Sequence, residues 1–341
     1  MGRRDALEHV RDISRLAYGF MASKALFAAL EVDLFTRLAP GPLSLEEASS
    51  ATGIAPHRLA TLLSALSATG LVVGEDGRWA NAPATSRYLV AGAPEAFGDY
   101  YRLQVDGLIY PMLQHLTAGL RGDESALAPS LAADGMSDRD RAASFSRAQH
   151  AGSLGPAAVL ARRVDLSGAS HLLDVAGGTG AMSITLCQAH PQLTATIIDF
   201  PNVVEVGREY VAAAGLQDRV RFVPGSALGV EWPAADVVLL SYLLSAVAGS
   251  DIQPLLRRAS AVLSGSGGLL LLHDFMLDDD RLGPELAALW FLQYLAERTD
   301  AVSFTAADLR RELDGLGFRQ VTEESLIPGV TKLLRARGAA R

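Results

Sequence analysis

The sequence predicts an α/β chain, a Rossmann-like doubly wound sheet set behind a mainly helical N-terminal domain of winged-helix type. Three observations carry this. From residue 166 onward short apolar runs alternate with helical patterns, the order that a parallel sheet with crossover helices requires. The first of those runs holds the acid Asp174 and ends in a turn built on Gly177, Gly178 and Gly180, after which a helix opens. The first 95 residues read as helix, turn, helix and hairpin. The expected division is therefore a winged-helix domain over 1–95, a helical linker over 96–165 and a ligand-binding α/β domain over 166–341.

In chain order, residues 16–35 predict a helix with Ala17, Phe20, Met21, Ala25, Leu26 and Leu30 apolar. It is apolar on more than one side, whereas a surface helix needs one stripe, so it is expected to pack against another subunit. Ser44 followed by Glu47 is a capping box that starts a short helix, and Thr52-Gly53 ends it. Pro56 suits a first helical turn, and Leu59, Leu62, Leu63 and Leu66 form the stripe of the next helix. A hairpin over 71–80 turns at Glu75, Asp76 and Gly77. Such a winged helix can bind DNA, but its second helix offers only His57 and Arg58 as basic groups, too few to neutralise phosphates. Residues 94–164 read as helical, with a flexible loop over 122–135. Three of the eight tyrosines fall between residues 100 and 110. Tyr100, Tyr110 and Phe145, with Gln104 and Gln149, suggest an aromatic pocket with a few polar groups.

Beyond Asp199 the pattern predicts helices over 203–214, 252–263, 286–295 and 306–316, and strands over 221–223, 236–240, 269–273 and 330–334. Ligands bind at the carboxyl ends of strands in such sheets. Asp174, Asp199, Ser226, Ser241 and His273 fall at those ends.

With 341 residues, 49% hydrophobic and a formal charge of −8, the chain can bury a large core and lacks the basic balance of a nucleic-acid enzyme. Its one cysteine, Cys187, reads as core. Arg3-Arg4 is followed by no apolar export segment, Met1-Gly2 lacks the hydroxyl residue that myristoylation needs, and no run is long enough to span a membrane. These features predict a cytoplasmic protein without membrane or nucleic-acid partners.

The glycine turn does not have the G-x-G-x-x-G spacing of a dinucleotide site. Asp174 would repel a pyrophosphate but suits an ammonium group. Asp199, about 20 residues beyond the turn, suits ribose hydroxyls. A ribose and an ammonium group without a pyrophosphate describe S-adenosylmethionine.

These residues, with Asp199-Phe200-Pro201-Asn202-Val203-Val204 and Gly267-Gly268, resemble the small-molecule methyltransferases of the plant caffeate and bacterial polyketide O-methyltransferase type, over nearly the whole chain. The resemblance implies a class I methyltransferase fold and an interlocked homodimer. It implies that Gly177, Gly178 and Gly180 wrap the methionine part of the cofactor, that Asp199 holds the ribose and that Phe200 flanks the adenine. Ser226, with Ala227 beside it, stands where the family has an acid touching the adenine amino group. Ser241 completes the expected cofactor set, and Trp290 and Gln293, with Tyr294, are expected to line the substrate pocket.

The chain departs from the family after the fourth strand. The base histidine of Leu-Ser-x-x-Leu-His-Asp-Trp is replaced by Ser245 in Leu240-Ser241-Tyr242-Leu243-Leu244-Ser245-Ala246-Val247. A phenol of pKa about 10 is ionised roughly one part in a thousand at neutral pH, and supplying that ionisation is worth up to ~4 kcal/mol. Serine is no base there. Substitute bases are His273, beside Asp274, and His150; Tyr242 could hold a phenolate by hydrogen bonding. No acid or histidine spacing suggests a metal, the cluster of His273 with Asp274, Asp278, Asp279 and Asp280 included. The sequence thus predicts an S-adenosylmethionine-dependent methyltransferase for a small aromatic metabolite of secondary metabolism, with carbon methylation favoured by the missing histidine. Alternatives are O-methylation with a displaced base, non-methylating chemistry such as hydroxylation or pericyclic catalysis, and, last, a DNA-binding regulator.

Overall fold

The computed structural model describes residues 6–129 and 136–339, and the chain divides into two units between Leu108 and Ile109. Met1, Gly2, Arg3 and Arg4, and residues 130–135 of the expected loop, lie outside the described residues. Residues 96–108 of the expected linker pack with the N-terminal unit, and residues 109–165 with the second.

The N-terminal unit begins with α1 (Val10–Glu31), which starts earlier than the apolar pattern predicts. It stops where Asp33 takes a left-handed backbone (φ 57°), and a single turn, α2 (Leu34–Arg37), follows. Strand β1 (Leu43–Ser44) leads into α3 (Leu45–Thr52) through the predicted capping box: Glu47 N–H donates to Ser44 Oγ at 3.2 Å, and Ser44 N–H donates to the Glu47 carboxylate at 2.7 Å. Helix α4 (Pro56–Ala68) buries Leu59, Leu63 and Leu66. The hairpin β2 (Val72–Glu75) and β3 (Arg78–Asn81) turns through Asp76 and Gly77, both at positive φ, and α5 (Pro83–Tyr88) follows. Leu34, Phe35, Leu38 and Ala48 close this core with the α4 leucines. Along α1, Val10, Ile13, Leu16, Phe20 and Met21 remain about half exposed or more. A π-helical stretch, Tyr100–Ile109, reaches the boundary between the units.

The second unit starts with the short helices α6 (Tyr110–Met112) and α7 (Leu116–Arg121) and the 25-residue α8 (Arg139–Arg163). Then β4 (His171–Val175), α9 (Ala181–Ala189), β5 (Thr194–Asp199), α10 (Pro201–Ala213) and β6 (Val220–Pro224) alternate as predicted. They are followed by β7 (Val237–Ser241), α11 (Gly249–Leu263) and β8 (Leu269–Asp274). The chain closes with α12 (Glu285–Trp290), α13 (Leu292–Glu297), α14 (Ala306–Gly315), β9 (Arg319–Ile327) and β10 (Thr331–Arg337). The sheet order is β6-β5-β4-β7-β8-β10-β9. Strand order reverses between β4 and β7, so their carboxyl ends flank the crevice where such a fold binds its ligand.

Two features differ from the sequence reading. The sheet is mixed: β10 pairs antiparallel with both β8 and β9, where strand–helix alternation implied parallel pairing throughout. Strand β9 was not foreseen because it is a sheet edge, largely exposed and rich in charge, and so lacks the apolar run of a central strand. The helix expected over 286–295 is two helices broken at Phe291, which turns into the core. The central strands are buried on both faces as their unbroken Leu and Val runs require; Leu173, Val175, Val238, Leu240 and Leu270 are inaccessible. Each such side chain contributes about 1.5–3 kcal/mol. Cys187 is fully buried on α9. Among the described residues no helix is long and apolar enough to cross a membrane.

Candidate active site and cofactor crevice

The turn between β4 and α9 is built around one close approach. Asp174 is fully buried, and Ser183 Oγ donates to its Oδ2 at 2.7 Å. A Cβ on Gly177 would come within 2.5 Å of the Asp174 carboxyl carbon, so only glycine lets the chain cross over the acid. Gly180 N–H donates to Gly177 C=O at 2.9 Å and closes the turn; Ala176, Gly178 and Gly180 all take positive φ. A left-handed alanine is strained, and such strain collects at ligand sites.

Asp199 ends β5 and reaches back to this turn. Gly178 N–H donates to Asp199 Oδ2 and Phe200 N–H donates to Oδ1, both at 2.7 Å. The carboxylate is half-buried, which leaves further lone pairs for a diol. Gly225 N–H donates to Asp199 C=O at 2.8 Å, which brings the exposed Ser226 beside it. The Ser226 hydroxyl accepts from Leu228 N–H, and Ala227 C=O accepts from Trp232 and Arg258. Phe200 packs with Phe145, Val203, Met136 and Ala142. Phe145, expected in the substrate pocket, therefore lies beside the expected adenine flank.

These groups fit S-adenosylmethionine. Asp174 Oδ1 is buried with no hydrogen-bond partner among the described residues, an orphan acceptor beneath a glycine cradle. Burial holds the Asp174 carboxyl up at about 7 and that of Asp199 at about 6. Each is therefore protonated only below its own value, and the stability each contributes in acid is lost as pH rises through it. An ammonium group and a ribose diol need the ionised forms. Cofactor affinity is thus expected to fall as pH drops through 7 and then 6, by up to about tenfold per unit for each carboxylate that must lose a proton. Calorimetric titration with S-adenosylhomocysteine across that range checks this, and Asp199→Asn should flatten the lower limb.

Across the crevice, Ser241 ends β7 and its hydroxyl meets His273 Nδ1 at 2.9 Å, while His273 Nε2 meets Thr331 Oγ1 at 2.9 Å. His273 is wholly inaccessible, and burial drives its pKa down to about 3. This corrects the expectation that it is the base: both nitrogens are taken, and no substrate can reach it. Ser241, half-buried at the crevice, has its hydroxyl engaged with His273. His273→Ala would strand two hydroxyls over a cavity. It is expected to cost about 2–4 kcal/mol and so lower Tm by roughly 5–15 °C, with no limb lost from the pH–rate profile.

His150 is half-buried, and its surroundings also speak against the expected role of base. Its Nδ1 is hydrogen-bonded to Thr179 Oγ1 at 2.7 Å, its ring stacks on Tyr210 at 3.6 Å, and burial lowers its pKa to about 4, far from a match for a phenol.

The remaining groups gather around Asp274, which the sequence noted only as a neighbour of His273. Asp274 is fully buried; Ser245 N–H donates to its Oδ2 at 3.0 Å and Phe275 N–H to its Oδ1 at 2.8 Å. It thereby anchors the loop that carries Ser245. Burial raises its pKa to about 6. Burial first, and then the Asp274 charge, raise the pKa of the Tyr294 phenol strongly. Trp290 stacks on Phe275 at 4.3 Å, and the Tyr242 ring, at a left-handed backbone position, lies 5.5 Å from Phe275 and edge-on to His273 at 4.5 Å. Gln293 is buried, its amide donating to Trp290 C=O at 3.1 Å. Tyr242, Phe275 and Trp290 thus form one aromatic wall. Phe275 was missed because it reads as the tail of a core strand.

Gln149 and Tyr110 are half-buried in the second unit. Tyr100 and Gln104 belong to the N-terminal unit, where Tyr100 packs on Phe97 and Tyr101, and Gln104 is buried. Among the described residues no three His, Cys, Asp or Glu side chains are grouped to hold a metal. Asp278 pairs with Lys332, and Asp279 and Asp280 accept from the backbone at Ala307 and Leu282.

Two family profiles match the chain, an O-methyltransferase domain over residues 125–319 and an O-methyltransferase dimerisation domain over residues 14–91. The tetracenomycin polyketide synthesis 8-O-methyl transferase TcmO of Streptomyces glaucescens is 34% identical, over 92% of this chain and 93% of its own. The 3-hydroxy-5-methyl-1-naphthoate 3-O-methyltransferase of Streptomyces sahachiroi is 33% identical, over 91% and 89%. Human N-acetylserotonin methyltransferase, solved in complex with its cofactor, superposes with a TM-score of 0.86 over the whole of both chains at 24% identity, a likeness of fold.

Proposed function

Since the chain belongs to the O-methyltransferase family that joins this catalytic domain to its own dimerisation domain, we propose that it methylates a phenolic oxygen on an aromatic polyketide. It is an S-adenosylmethionine-dependent methyltransferase of small molecules. One observation carries the finer reading: the 34% identity, across nearly all of both chains, to an enzyme named for 8-O-methylation in tetracenomycin polyketide synthesis. Oxygen is a better-supported acceptor than the carbon that the missing histidine had favoured: the matched domain and the two Streptomyces relatives above are named for O-methylation, a further relative at 31% identity is named for N,N-dimethylation, and none of these is named for carbon methylation.

Bound cofactor supplies an electrophilic methyl group on a sulfonium. The chain's own residues do the rest. Asp199 would hold the ribose diol, Asp174 and the glycine turn the methionine end, and Phe200 the adenine face. Tyr242 and Trp290, half-buried and backed by the buried Phe275, would offer aromatic contacts to a fused ring. Ser245 brings no base, so the acceptor would react as its phenolate, the proton lost to solvent, and rate would come from alignment of that oxygen with the methyl group and exclusion of bulk water.

The test is incubation with 13C-methyl cofactor and a panel of hydroxynaphthoates and linear aromatic polyketides. A product carrying the label as a methoxy carbon is expected. Label on a ring carbon, or on nitrogen, would overturn the reading.

The dimerisation domain points to a homodimer, which we assign to the exposed apolar face of α1. Leu16→Asp combined with Phe20→Asp is expected to shift the protein toward monomer or aggregate on light scattering. An intact dimer would move the interface elsewhere.

A further inference from the structure

We propose that His150 is a positioning residue of the cofactor site, a clamp from α8 that holds the glycine turn in the shape that binds S-adenosylmethionine. The inference rests on assigning that turn to the cofactor.

Thr179 sits in the middle of the turn, between Gly178 and Gly180, and is 3% exposed. The backbone of the turn is held from two sides. Gly178 N–H is fixed on Asp199, and α10 closes in through Gly207, where a Cβ would lie 3.3 Å from Thr179 Cα and 2.6 Å from the Phe222 ring. The Thr179 side chain supplies the third side, through its 2.7 Å hydrogen bond to His150 Nδ1. The imidazole is in turn fixed by near-parallel stacking on Tyr210 of α10, at 3.6 Å and 17°. His150 therefore connects three elements, α8, the glycine turn and α10, and the last two flank the Asp199 carboxylate. A buried hydroxyl that lost this partner would be driven to find another, and the turn carrying Gly178 would move with it.

The electrostatics suit a clamp and not a base. Burial holds the His150 pKa down at about 4, so the ring is neutral wherever the enzyme works. A neutral ring keeps one nitrogen donor and one acceptor, and the bond to Thr179 persists across the pH range in which Asp174 and Asp199 titrate.

The test uses His150→Phe, which retains a ring against Tyr210 but not the hydrogen bond, and Thr179→Val, which removes the hydroxyl at nearly constant shape. Each is expected to weaken S-adenosylhomocysteine binding about tenfold by calorimetry and to raise KM for the cofactor likewise. kcat at saturating cofactor should fall much less, and KM for the aromatic acceptor should stay close to its original value. The double variant is expected to be no worse than either single one, because both remove the same bond. Thr179→Ser, which keeps the hydroxyl, should recover most of the affinity.

Binding within twofold of the wild type in both His150→Phe and Thr179→Val would overturn the clamp. So would loss of the acid limb of the kcat profile in His150→Phe, since that limb would mark His150 as a base. Asp199→Ala, measured alongside, separates the two levels. If it too binds as tightly as the wild type, the crevice is wrongly assigned to the cofactor. If it alone is weakened, only the clamp fails.

Discussion

Gly177→Ala is expected to abolish measurable cofactor binding and to destabilise the second unit. The new methyl group would lie 2.5 Å from the Asp174 carboxyl carbon and under 3 Å from both its oxygens. Neither side can yield easily. Asp174 belongs to a central strand, is fully buried and is hydrogen-bonded to Ser183, and residue 177 is pinned by the Gly180 N–H that closes the turn. Overpacking of this kind costs about 1–3 kcal/mol, occasionally more, and a melting curve should shift down by several degrees. The turn would be displaced from Asp199, so the loss of affinity should exceed a hundredfold. Adding Asp174→Ala to Gly177→Ala removes the clash and should restore much of the Tm. It should not restore binding, because the acceptor beneath the cradle is gone. A stable Gly177→Ala protein with wild-type affinity would mean that the cofactor does not use this turn.

Asp199→Ala is the second large effect, and its signature is the reverse. The carboxylate accepts from Gly178 and Phe200 N–H and is assigned two ribose hydroxyls. Charge-assisted hydrogen bonds contribute about 1.5–3 kcal/mol, so affinity should fall roughly 10- to 150-fold. Stability should hardly suffer. Burial raises the Asp199 pKa to about 6, so above that pH the ionised carboxylate is less favourable in the folded state than in the unfolded chain, and removing it relieves that cost. Calorimetry with S-adenosylhomocysteine, beside a melting curve at pH 8, separates the two variants. An unchanged Kd would remove the ribose assignment.

The two substitutions mark how far the sequence could be read. Glycine spacing, the acid before the turn and the acid about 20 residues on are local features. They state a backbone need and a charge, and the cofactor follows from them. The capping box at Ser44 and Glu47 and the buried leucine runs were equally legible, because helix caps and central strands are decided by neighbours in the chain.

The histidines were not legible. His273 and His150 carry the residue type a base needs, and His273 sits at a strand end where bases are found. What they do depends on partners far away in sequence: Ser241 and Thr331 for one, Thr179 and Tyr210 for the other. Asp274 was overlooked for the same reason, since its partner Ser245 lies 29 residues away across the sheet. The antiparallel edge, β9 against β10, was hidden because an exposed strand has no apolar run to announce it. The sequence by itself determined the parallel part of the sheet, the cofactor and the absence of the usual base histidine. Only the tertiary structure decided which polar side chains are sealed into hydrogen bonds and which remain for chemistry, because burial and pairing, and not residue type, set a side chain's pKa and its reach.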